Sequence, residues 1–230
     1  MAIFDIFTES WQMFLQGMFL TLQLSVISLI LAMFIGMGSC LMNISGFTVF
    51  RIKPLHWISQ CYINIIRGTP LLVQTFFIYF GVTKAFGFTM TAFVAGIVAL
   101  SLNAGAYLSE IFRGGIEAVQ HGQMEAARSL GLPKSIAMLK VILPQAIRIV
   151  VPSVVNQCII TIKDTSIISV IGLAELTMTG SQIIARTYLS FDVWVIVGFL
   201  YFIVIYTLSK ISQLVEKRIS RVSSEDSKTA

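Results

Sequence analysis

Ionisable and amide side chains are scarce in this chain, and three groups of them interrupt apolar runs at spacings that bear on binding chemistry. Arg67-Gly68-Thr69-Pro70 stands inside the second apolar run, with Gln74 about one helical turn beyond Pro70. Thr69 before Pro70 has the form of a helix start with Thr69 as cap, and the free N–H groups of such a start favour an anion such as a carboxylate. Asn103, Tyr107, Glu110 and Gly114 follow one another at intervals of four, three and four residues, which aligns them along one helix face. In the fourth run, Asn156-Gln157 precedes Lys163-Asp164-Thr165-Ser166. Asn156, Lys163 and Ser166 fall near one face, and Gln157 and Asp164 share another. Adjacent residues do not face each other on a helix, so Lys163 does not neutralise Asp164 directly. That leaves Asp164 to bind an ammonium group.

An ionised group at a bilayer centre costs about 2.5–3.5 kcal/mol, and one Ile or Leu returns only about 0.3–0.6 kcal/mol. Each charge therefore needs a wet or protein-lined place. Arg67, Thr69, Gln74, Asn103, Tyr107, Glu110, Asn156, Asp164 and Ser166 together can line a polar path, anion-friendly near the helix start at Pro70 and cation-friendly near Asp164. Each group also has a plainer reading. Arg67 can snorkel to an interface. The Asn103–Glu110 stripe can serve interhelical hydrogen bonds. Asp164 can belong to a structural ion pair, with Arg67 as partner.

The elements that would position these residues are membrane helices. Charged residues make up 12% of the chain, about half the share of a soluble domain, and residues 10–50 contain no Asp, Glu, Lys, Arg or His. A span needs about 20 apolar residues. Lipid admits only helices or closed barrels, and the continuous runs lack the alternation of barrel strands. Five segments result: about Phe14–Met42, Trp57–Val82, Thr89–Phe112, Gln145–Ile171 and Val193–Ser209. Residues 172–190 form a less apolar connection with room for a short helix. Basic residues cluster in one set of connections: Arg51 and Lys53, then Arg113, Arg128, Lys134 and Lys140, then Lys210, Lys217, Arg218 and Arg221. The other set holds Lys84 and Arg186. The first set is expected in the cytoplasm, with the N-terminus outside and the C-terminus inside. This distribution, rather than nucleic acid binding, accounts for the net charge of +5. Residues 1–221 read as one membrane domain and 222–230 as a polar tail expected to be disordered. The N-terminus lacks the basic start of a signal peptide and is expected to be retained. Cys40, Cys61 and Cys158 are scattered packing residues, and His56 and His121, expected in loops, have no partners for a metal site.

The connection between the third and fourth spans reads Glu125-Ala126-Ala127-Arg128-Ser129-Leu130-Gly131, and ends Val141-Ile142-Leu143-Pro144. Residues 123–130 favour a short helix. Gly131 is placed to end it in a left-handed cap, Pro133 discourages continuation, and Pro144 is expected to start the fourth span. Ala126 and Ala127 offer a smooth surface for close approach by another protein.

This segment closely resembles the cytoplasmic "EAA" loop of bacterial ABC importer permeases. Glu125, Ala126, Ala127, Gly131, Leu143 and Pro144 match, and Val141 departs from the family's usual Ile. The resemblance extends from about Gly17 to Arg218. Arg67-Gly68-Thr69-Pro70, Asn103-x-Gly105-Ala106-Tyr107, Lys163-Asp164-Thr165-Ser166 and Ile171-Gly172-Leu173-Ala174-Glu175-Leu176 are similar to the polar amino acid subgroup, and most like glutamine permeases. It implies an all-α integral membrane protein of the type I importer kind, with five transmembrane helices and a cytoplasmic coupling helix, in the bacterial inner membrane. It also implies an ABC ATPase dimer docked on the 123–144 loop, an extracytoplasmic amino acid-binding protein and a second permease chain, identical or not. The chain has no Gly-x4-Gly-Lys-Ser/Thr loop, so ATP is expected in the partner, and no cofactor or enzymatic activity is expected here. An ion-coupled secondary transporter, with Asp164 or Glu110 titrating, is the alternative; a membrane-embedded enzyme finds no nucleophile–base pair.

Overall fold

The computed structural model describes the backbone of residues 2–45 and 53–226, and side chains as far as Leu214. The described residues form helices and no strand. α1 spans Ala2–Ile44, α2 Pro54–Arg67, α3 Leu71–Phe86, α4 Ala92–Glu117, α5 His121–Ser129, α6 Lys134–Ile171, α7 Leu176–Thr187 and α8 Ser190–Asp226. α1, α4, α6 and α8 are each long and apolar enough to cross a membrane, and α2 and α3 form a pair bent by 106°.

Packing decides whether that bent pair crosses. Leu24 of α1 lies by Gly96 of α4, and Gly36 further along α1 lies by Leu108 further along α4. The two helices therefore run parallel. A chain that leaves α1 on one side and re-enters α4 in the same direction must return between them. α2 and α3 together make that return, so the crossings number five. α6 runs against α4, with Val150 by Gly115 at one end and Ile168 by Gly96 at the other. α8 starts beside the first part of α1, where Ile6 and Phe14 share a cluster with Val193, Ile196 and Val197.

Without a hydrophobic drive between helices in lipid, close packing depends on small residues and polar ties. At Gly36 a Cβ would stand 2.8 Å from Leu108 Cβ and 3.0 Å from Gly105 O, so only glycine lets α1 and α4 approach this closely. α2 is tied by hydroxyls. Ser59 Oγ donates to Ser39 O (2.8 Å) and Tyr62 OH to Leu102 O (2.6 Å). His56 stands in α2 rather than in a loop, and its Nδ1 donates to Asn43 O (3.0 Å). His121 opens α5.

The structure corrects two boundaries. α6 begins at Lys134, well before Pro144, so Pro144 lies inside a continuous helix. Proline cannot donate to the carbonyl four residues back and its ring crowds that turn. The helix widens just before it: residues Met138–Ile142 are a π turn, and Leu143 N–H donates to Met138 O. The polar tail, expected to be irregular from Val222, is helical as far as Asp226. Arg51, used above to orient the chain, lies outside the described residues.

Candidate functional site: a polar cluster at the broken helix

The break between α2 and α3 is built by Gly68-Thr69-Pro70. Gly68 ends α2 through its N–H on Asn64 O (2.9 Å), and Pro70 turns extended, its carbonyl accepting the N–H groups of Val73 and Gln74. Thr69 is not the cap expected. Its hydroxyl turns back and donates to Ile65 O (2.8 Å), because the extended residue before the helix is Pro70 instead. Gln74 closes the bend. Its buried Nε2 donates to Ile66 O (2.7 Å), Thr69 O (3.0 Å) and Thr69 Oγ1 (2.9 Å). Its Oε1 accepts from Asn103 Nδ2 (3.1 Å), which fastens the bend to α4.

The same α4 face then meets Arg67. Its guanidinium lies 5.3 Å from the centre of the Tyr107 ring and 3.5 Å from Glu110 Oε2. Glu110 is also gripped by Arg113, whose Nη2 and Nε donate to Oε2 (2.9 Å) and Oε1 (3.1 Å). Arg113 reaches Glu117 as well (2.6 Å). The ion pair sought between Arg67 and Asp164 is not formed, since Arg67 faces Glu110. The structure thus gathers Arg67, Thr69, Gln74, Asn103, Tyr107 and Glu110 into one cluster. It presents a partly exposed cation on an aromatic face beside an amide pair, an arrangement suited to holding a carboxylate.

The residues of the fourth run do not join it through any described hydrogen bond or ion pair. Asn156 is exposed. Ser166 Oγ donates locally to Lys163 O (2.7 Å). Asp164 is half-buried where the α-helical part of α6 gives way to the 3₁₀ turns Thr165–Ile171, and no ion pair reaches it among the described residues.

The loop motif forms a second site. After α5, Leu132 N–H donates to Ala127 O (3.2 Å) and Gly131 N–H to Arg128 O (3.0 Å), the paired bonds of a Schellman cap. Gly131 takes φ +82°, the left-handed position expected. Ala127 is buried, while Glu125, Ala126, Leu130, Gly131 and Pro144 are exposed and Leu143 half-buried.

Sequence reading passed over a third polar centre. Glu175 is fully buried at the start of α7. Its Oε1 accepts from Met178 N (2.9 Å), and its Oε2 from Tyr201 OH (2.8 Å) and Thr21 Oγ1 (3.4 Å). Thr21 Oγ1 in turn accepts from Leu176 N (3.2 Å). One carboxyl group so joins α1, α7 and α8. The available signal was an acidic residue just ahead of an apolar helix, in a chain where acids are few.

A family model described as a binding-protein-dependent transport system inner membrane component matches residues 44–221. An arginine transport system permease protein, ArtQ of Bacillus subtilis, is 38% identical over 89% of this chain and 91% of its own length. A probable glutamine ABC transporter permease protein, GlnM of the same organism, is 39% identical over 94% and 98%. Among solved structures, an amino acid ABC transporter crystallised with histidines superimposes with a TM-score of 0.87 at 41% identity, over 92% of this chain and 96% of that one. The MetNI methionine ABC transporter shares the fold, with a TM-score of 0.76 at 18% identity.

Proposed function

The chain belongs to the inner membrane components of binding-protein-dependent transport systems, as an amino acid ABC permease, and on that premise we propose that it carries a polar amino acid, glutamine foremost, inward across a bacterial cytoplasmic membrane. Movement is driven by a separate ATPase dimer, which binds and hydrolyses the ATP. An extracytoplasmic binding protein delivers the substrate, and a second permease chain, identical or homologous, completes the path. The N-terminus faces outward, and α5 and the C-terminus face the cytoplasm. Glutamine is preferred because the chain's motifs are most like those of glutamine permeases and relatives named for glutamine are among its matches.

The observation that carries this reading is the α4–α5–α6 connection. α5 is short, ended by a Schellman cap and seated on α6 through Met124, which packs with Val119 of the preceding turn against Ile142 and Ala146. A push on the exposed Glu125–Gly131 surface is therefore passed to two membrane helices instead of being absorbed by a loose loop. Arg67, Thr69, Gln74, Asn103, Tyr107 and Glu110 form the substrate path on the α4 side, and Asn156, Asp164 and Ser166 line it from α6. The test is uptake of labelled glutamine, arginine, histidine and cystine into proteoliposomes holding this chain with its ATPase and binding protein. Uptake that needs both ATP and the ATPase is expected, with glutamine the preferred substrate. Uptake driven by an ion gradient without the ATPase would replace this reading with a secondary transporter.

A further inference from the structure

The cluster around Arg67 is not a symmetrical ion-pair network. Arg113 holds both oxygens of Glu110 at hydrogen-bonding distance and is itself fixed by Glu117. Arg67 shares only Oε2, at 3.5 Å, and no described hydrogen bond reaches its guanidinium. Its side chain is 43% exposed, against 22% for Glu110 and 30% for Arg113. The Tyr107 ring supports the guanidinium at 5.3 Å. If Arg67 lets go of Glu110, the carboxylate keeps its two bonds to Arg113.

We propose that Glu110 is a resident counter-ion of Arg67, displaced when the carboxylate of an incoming amino acid takes the same guanidinium. This rests on the reading of the chain as an amino acid permease. Between transport cycles an unpaired guanidinium in a membrane helix is unfavourable, and Glu110 offsets it. A substrate carboxylate offers the same charge in a better geometry, since both of its oxygens can meet the fork of the guanidinium. Arg113 neutralises the displaced Glu110, which limits repulsion between the two carboxylates. The resident competitor keeps substrate affinity low enough for release. It also makes the carboxylate, rather than the amino acid side chain, the group recognised here.

Glu110→Gln removes the competitor's charge and keeps a side chain of the same shape. The experiment measures binding of labelled L-glutamine and L-arginine, and of their carboxamides L-glutaminamide and L-argininamide, to the permease–ATPase complex in nanodiscs. Glu110→Gln is expected to tighten binding of the free amino acids about two- to fivefold, the weight of a partly exposed ion pair, and to leave the carboxamides unchanged. Arg67→Gln is expected to abolish the preference for amino acid over carboxamide. Equal shifts for acid and amide in Glu110→Gln, or no shift, would overturn the proposal, as would a preference that survives Arg67→Gln. Loss of the permease reading would show separately, as wild-type complex that does not import under ATP.

Discussion

Gly131 holds φ at +82° at the end of α5, where a residue with a Cβ is strained by about 1–2 kcal/mol and a β-branched one by more. Nothing stands within 4 Å of where that Cβ would go, so the strain is purely in the backbone. Gly131→Val is therefore expected to loosen the cap while the chain still inserts, and to lower ATP-driven uptake about fivefold or more. Uptake in reconstituted vesicles, normalised to inserted protein, measures it; a wild-type rate would separate the cap from coupling. The left-handed glycine was legible in the sequence because its cause is local: a helix-forming run, then Gly131, then Pro133. Gln74 was legible as a polar residue near the break, but its role was not. It depends on where Ile66 O, Thr69 O and Asn103 Nδ2 lie, and two of those three are set by the angle of a bend. The same reason explains Thr69. Its type suits a cap, yet its hydroxyl found Ile65 O because the chain turns one residue later than the Thr-Pro order suggests.

At the scale of elements, α7 is the clearest case of a short helix held by polar contacts. Its N-terminus rests on the buried Glu175 carboxyl group, which reaches Thr21 on α1 and Tyr201 on α8. Tyr201→Phe keeps the ring's packing and deletes the shortest bond to that group. Thr177 Oγ1, 3.2 Å from Tyr201 OH, loses a partner as well. A buried acceptor left short of a donor costs about 1–3 kcal/mol. The thermal unfolding midpoint of the purified permease–ATPase complex is expected to fall by several degrees, whereas Tyr206→Phe, on an exposed face of α8, is expected to leave it unchanged. Equal midpoints for both variants would show that α7 is held by apolar packing alone. The four long helices were readable as apolar runs, because hydropathy is a property of each run by itself. The early start of α6 was not, since Pro144 reads locally as a helix beginning. Only the π turn at Met138–Ile142 shows how one helix continues through it.

For the whole molecule, the parallel packing of α1 and α4 sets the number of crossings, and five crossings place the two ends of the membrane domain on opposite faces. The proposed cytoplasmic face is the more basic one: Lys53, Arg113, Arg128, Lys134 and Lys140 lie in or near one set of connections, and Lys84 and Arg186 in or near the other. Helix contacts and loop composition are separate observations, and in the proposed orientation they together put α5 on the cytoplasmic side, where the proposed ATPase docks. Ser129, at the end of α5, and Ser190, at the start of α8, are both exposed and stand on opposite sides in this arrangement. With Cys40, Cys61 and Cys158 replaced by Ala, Ser190→Cys is expected to react with a membrane-impermeant maleimide in intact spheroplasts. Ser129→Cys is expected to react only after permeabilisation. The reverse pattern would put Glu125–Gly131 outside and end its reading as a docking surface. Labelling of both positions from outside would mean that α6 does not cross, or that α7 returns through the membrane, and the count of five would fall with it. Because maleimide chemistry depends on neither substrate nor ATP, this result stands whichever amino acid is carried.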